Sequence, residues 1–205
     1  MEQKIFSKFN VYDQIGYLMV GAIAILVVIF DAVYFFGFSV PNSSLENFLI
    51  WLVIAYFIGH LLQGIANLIN NIPLLRYFIL ENKTDFNEKE KEILEQARSY
   101  FGLEKQDNSK LWNFCYMLAS AKDITGQVQS FNAYYSLYRG WLVIFLSESI
   151  FLLGHIIFFF NYPKLYLLLL SVFLVIIFYR RSKRFWKYTR DKVLETFVVV
   201  KTLKL

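Results

Sequence analysis

Residues 48–68 read FLIWLVIAYFIGHLLQGIANL, an unbroken run without Lys, Arg, Asp or Glu. A helix of roughly 20 mostly apolar residues spans the hydrocarbon core of a bilayer, so this stretch reads as a transmembrane helix. Residues 15–36, 141–160 and 162–179 meet the same standard or nearly so. The last is short, but Pro163 suits the first turn of a helix. Trp141, Tyr162 and Tyr179 fall at segment ends, where aromatic side chains favour the water–lipid boundary. The composition of the 205-residue chain agrees: 57% hydrophobic, 20% aromatic, 18% charged. With a mean hydropathy of +0.44, this excludes disordered and collagen-like chains and argues against a water-soluble globule. The single cysteine, Cys115, forms no bridge within the chain.

The first span follows Lys4 and Lys8 as a signal peptide would, but it is too long, contains Asp31 and lacks an Ala-x-Ala site before Pro41. It reads as a retained anchor. Of 21 Lys and Arg, only Lys164 falls in the two outer loops, residues 37–47 and 161–164, leaving 20 on the other side. The positive-inside rule then places both termini and the long central segment in the cytoplasm. Arg180, Arg181, Lys183, Arg184, Lys187 and Arg190 follow span four directly. They are expected to hold the chain against anionic lipid, at about 1 kcal/mol per charge, and no direct nucleic-acid binding is expected.

The expected fold is an all-α membrane protein with four spans and a helical cytoplasmic insert between spans two and three. Residues 1–72 carry spans one and two, 73–140 the insert, 141–180 spans three and four, and 181–205 a basic tail. In the insert, Asn87 with Glu90 three positions on matches a capping box, and Gly102 suits the helix stop. A second helix is expected from Asn108 to about Lys122, and a third from near Asp123 that runs on into span three. The insert is too small to bury a large core alone. It is expected to lean on the tail, read as a short helix or strand, or on other subunits.

Span two carries the most informative polar pattern. Tyr56, His60, Gln63, Asn67, Asn70 and Asn71 fall at about 0°, 40°, 340°, 20°, 320° and 60° around a helix, one narrow stripe. Such a stripe faces protein or water rather than lipid. Interhelical hydrogen bonding and a wetted pathway both account for it. Asp31 in span one and Glu148 with His155 in span three add ionisable groups. Counting at 1.5 Å per residue from the cytoplasmic ends pairs Glu148 with His60 in the inner half and Asp31 with His155 in the outer half.

Enzyme signatures are missing: no Gly-rich phosphate loop, His-Glu-x-x-His, Gly-x-Ser-x-Gly or Cys cluster occurs. No catalytic residue, metal or cofactor is therefore expected. Four spans are few for a transporter built on repeats but enough for an oligomeric channel, in which carboxylates favour cations.

Asp13-Gln14-Ile15-Gly16-Tyr17, Tyr56-Phe57-Ile58-Gly59-His60-Leu61-Leu62-Gln63 and Phe131-Asn132-Ala133-Tyr134-Tyr135-Ser136-Leu137-Tyr138-Arg139 together resemble small bacterial four-helix membrane effectors of antiphage defence operons. The Hailong-type effector, paired with a nucleotidyltransferase-like protein, is the family in view. The resemblance implies an inner-membrane homo-oligomer, a tetramer favoured. Such a channel stays closed until infection and then depolarises the cell in abortive infection. It implies that the insert receives the signal and that Phe131, Asn132, Tyr135, Tyr138 and Arg139 form the gating or partner interface. The competing class is a non-conducting membrane anchor whose insert binds a partner protein.

Overall fold

The computed structural model describes residues 16–39, 45–69, 86–103 and 107–203, residues 45 and 46 by their backbone alone. Among these residues there are six helices and no strand: α1 (Met19–Phe36), α2 (Leu45–Ile69), α3 (Glu88–Phe101), α4 (Asn108–Lys122), α5 (Gln127–Phe158) and α6 (Tyr162–Leu203). Four are long and apolar enough to cross a membrane: Gly16–Phe36, Asn47–Ile69 and the segments of α5 and α6. Asn70, Asn71 and the Asp13–Ile15 part of the first motif lie outside the described residues.

Local chemistry sets the ends of the shorter helices. The Asn87 Oδ1 accepts from the Glu90 N–H at 3.0 Å, and Glu90 Oε2 accepts from the Asn87 N–H at 2.7 Å, the reciprocal capping box read from the sequence. Gly102 closes α3 in the left-handed conformation, φ +65°. Asp107 caps α4 by accepting from the Lys110 N–H at 2.8 Å.

Asp123 organises the turn into α5, accepting from the Val128 N–H at 2.7 Å and the Thr125 N–H at 3.0 Å. Burial by itself raises this carboxyl. The Thr125 hydroxyl, the two amides and the Lys192 charge outweigh it and hold the group below the usual carboxylate range. A depressed folded value contributes stability above the unfolded value of about 4 and loses it as pH falls through the folded value. Asp123→Ala should therefore cost about 1 kcal/mol at neutral pH. The difference in melting temperature from wild type should shrink as pH drops below about 4.

Helices α5 and α6 are long because each joins an apolar segment of membrane-spanning length to the helical domain. At 1.5 Å per residue, the 32 residues of α5 extend about 48 Å and the 42 of α6 about 63 Å. The tail is thus neither a short helix nor a strand of its own: it continues span four. Its stripe of Ser182, Trp186, Thr189, Val193, Phe197 and Val200 is buried. With α3, α4 and the start of α5 it encloses a core containing Leu94, Leu111, Trp112, Cys115, Val128 and Phe197. Burying a side chain such as Phe197 contributes about 1.5–3 kcal/mol. Glu90 adds an ion pair to Arg190 at 2.8 Å, both groups largely buried, which ties α3 to α6.

The α1–α2 hairpin packs closely because glycines leave room for backbone. A Cβ at Gly21 would overlap the Ala55 carbonyl, and one at Gly59 would overlap the Tyr17 carbonyl. This is the small-residue packing by which membrane helices approach without a hydrophobic driving force.

Candidate functional site

Two polar junctions join the hairpin to α5. The first lies next to the helical domain. Gln63 on α2 is 4% exposed and Arg139 on α5 is 5% exposed. Arg139 Nη2 donates to Gln63 Oε1 at 2.8 Å, while Gln63 Nε2 donates to the Ser136 carbonyl at 2.7 Å and the Gly16 carbonyl at 3.2 Å. Residues 16–18 are wound as a wider π turn, which frees helix carbonyls for such contacts. One amide thus holds α1, α2 and α5 together. Gly140 makes the room, since a Cβ there would meet Val20 at 2.6 Å and Gln63 Nε2 at 3.1 Å. Arg139 also stands 5.2 Å from the Tyr135 ring centre, and among the described residues its Nε has no hydrogen-bond partner.

The second junction lies deeper in the spans. Asp31 of α1 and Glu148 of α5 are close neighbours. Glu148 also borders a cavity of about 270 Å³ between α1, α5 and α6, otherwise walled mainly by aliphatic and phenylalanine side chains such as Val27, Phe145, Leu152 and Leu167. Among the described residues of the four apolar stretches, the only Lys or Arg is Lys164. It lies at the far end, bonded to the Phe159 carbonyl at 3.3 Å.

The expected acid–histidine layers are not formed; the acids meet each other. Gln63 touches both Gly16 and Ser136, so these three residues share a level. Measured from it, Asp31 is about 22 Å and Glu148 about 18 Å along their helices, whereas His60 is only about 5 Å along α2. Counting the span from Trp141 sets Glu148 too near the end that adjoins the helical domain. His60 instead stacks on Tyr17 with ring centres 3.7 Å apart and meets Tyr56 edge-on at 4.6 Å. His155 lies among Phe35, Phe151 and Phe159 at 4.7–6.2 Å.

The polar stripe of α2 divides. Ala55, Gly59, Gln63 and Ala66 are the buried positions, and their direction lies about 75° from the stripe's centre. Gln63 belongs to both faces, Tyr56 is half-buried, and His60 and Asn67 are exposed.

The residues singled out on lower α5 all face other parts of the chain. Phe131 meets Phe185 and Tyr188, Tyr135 meets Trp186, and Tyr138 stacks on Phe178 and Phe185. Asn132 donates to the Tyr116 hydroxyl at 3.1 Å. Their rings meet α6, and Tyr135 also belongs to the core shared with α4. Cys115 is a core residue whose thiol burial pushes up to about 12, so it stays protonated. Among the described residues, no three His, Cys, Asp or Glu gather as metal ligands. No protein-family model, curated protein or solved structure matches the chain.

Proposed function

We propose that the chain is the subunit of an oligomeric, gated, cation-permeable channel with both termini in the cytoplasm. The observation that carries this reading is the Asp31–Glu148 pair. Two carboxyls between membrane helices are costly to keep and mark an ion or proton path more often than packing. Carboxyls lining a path favour cations. The exposed His60 and Asn67 support an assembly, because lipid cannot satisfy their hydrogen bonds whereas further copies around a wet axis can. The resemblance to antiphage effectors adds the setting: a bacterial inner membrane, a tetramer, a nucleotidyltransferase-like regulator, and depolarisation that stops growth.

Native mass spectrometry of the protein in mild detergent gives the subunit number without knowledge of the opening signal. A ring of four or more is expected, and a monomer overturns the channel, since four helices do not enclose one. Glu148→Gln and His60→Ala should then change cation flux or toxicity with the ring intact. If both variants assemble and act as wild type, the path does not run here. A non-conducting anchor tolerates both changes.

A further inference from the structure

We propose that one face of α6, formed by Arg180, Lys183, Arg184 and Lys187, is a binding site for the phosphate headgroups of anionic phospholipids. The inference rests on α6 crossing a bilayer and goes beyond the channel reading, which does not require it. Set about the helix axis, these four residues occupy an arc of about 100°, and its centre lies about 140° from that of the buried Ser182, Trp186, Thr189 and Val193. Packing of α6 into the helical domain therefore points the four cations outward. Arg180, Arg184 and Lys187 are exposed and Lys183 is half-exposed. Two are braced by neighbouring rings: Lys183 lies 5.4 Å from the Tyr179 ring centre and Arg184 lies 5.3 Å from that of Tyr188.

The structure separates this face from the rest of the basic run. Arg190 is spent on Glu90 inside the domain, and Arg181 lies about 100° around from Arg180. No Asp or Glu occurs between residues 179 and 190.

Depth selects the partner. The apolar part of α6, residues 162–179, extends about 27 Å, close to the hydrocarbon thickness of about 30 Å. Arg180 to Arg184 then lie within about 7.5 Å of the hydrocarbon edge, in the headgroup layer, and Lys187, about 12 Å out, reaches back towards it with its long side chain. Nucleic acid would have to enter that layer to reach all four. Lipid phosphate is already there. Because α6 is both a span and a wall of the domain core, headgroups held here set the height of the domain against the bilayer.

The test offers the purified full-length chain equal amounts of phosphatidylglycerol and phosphatidylcholine with matched acyl chains, in mild detergent, and counts retained lipids by native mass spectrometry. Wild type should prefer phosphatidylglycerol. Each neutralised charge should reduce that preference by up to about fivefold. Arg180→Gln/Lys187→Gln, which leaves the two ring-braced residues alone, should reduce it by about tenfold or more. The preference should also fall when salt rises from roughly 0.05 to 0.5 M. Neutralising Lys89, Lys110, Lys122 and Lys201 instead should leave it unchanged. Equal retention of both lipids by wild type overturns the site, as does an equal loss in the second set of variants. A short DNA duplex that displaces phosphatidylglycerol at the same salt overturns it in favour of nucleic acid. A chain that retains no lipid and enters no bilayer nanodisc fails at the membrane reading itself.

Discussion

Gly59→Leu should yield a chain whose α1–α2 hairpin no longer closes, with unfolding in an SDS titration shifted by about 3 kcal/mol or more. The reason is the neighbour that the new side chain meets. At Gly59 it is the backbone carbonyl of Tyr17, and at Gly21 the backbone carbonyl of Ala55. Backbone cannot rotate away as a side-chain tip can, so the helices must separate. Separation also pulls Gly16 from Gln63 and Tyr17 from His60, contacts of 3.2 Å and 3.7 Å that depend on the same crossing. Gly21→Leu should behave alike. Gly64 provides the contrast, because a Cβ there meets none of the described residues within 4 Å. Gly64→Ala should be neutral or slightly stabilising, helped by the better helix propensity of Ala. If Gly59→Leu and Gly64→Ala unfold at the same SDS fraction as wild type, the hairpin does not pack as described.

Breaking the Gln63–Arg139 junction should show the next largest effect and a characteristic non-additivity. Gln63→Leu removes the only described side-chain acceptor for a guanidinium that is 5% exposed. It also unties three helices at once. A buried charge left without its partner costs about 3 kcal/mol or more. Arg139→Met leaves only a neutral amide oxygen unmet, while the two Gln63 N–H bonds persist, so about 1–2 kcal/mol is expected. The double variant Gln63→Leu/Arg139→Met should be more stable than Gln63→Leu alone, since the orphaned charge is gone. The coupling should exceed about 1 kcal/mol, beyond the range for independent sites. Simple additivity in SDS unfolding would show that the two side chains do not depend on one another. Since Gln63 holds the fold, its loss is a poor probe of conduction, and Glu148 and His60 serve better there.

Much of this was legible in the chain because spans and caps depend on local order. The run 48–68 is apolar whatever surrounds it, and Asn87-x-x-Glu90 caps a helix through atoms three residues apart. The break between α3 and α4, the extent of α4 and the passage of α5 into span three follow from the same kind of signal. The tail was not legible. Its buried stripe includes Ser182 and Thr189, which look like solvent-facing positions in a basic run. Only contact with α5 and the helical domain shows that small polar residues lie inside, with the Thr189 hydroxyl bonding back to the Phe185 carbonyl at 2.9 Å.

Pairing between spans was beyond the sequence for a different reason. Depth along each helix can be counted, but the relative height of two helices depends on where they touch. Gln63 fixes that height by reaching Gly16 and Ser136 together, and this brings Asp31 to Glu148 rather than either acid to a histidine. Periodicity likewise grouped Tyr56, His60, Gln63 and Asn67 on one face, yet the close approach at Gly59 rotates only Gln63 inward. The sequence by itself determined four membrane-length helices, the charge asymmetry across them and the caps of the insert, because hydropathy and capping act within a few residues. The tertiary structure alone decided which polar groups meet, because that depends on the register of one helix against another, set by glycine contacts and one buried amide far apart in the chain.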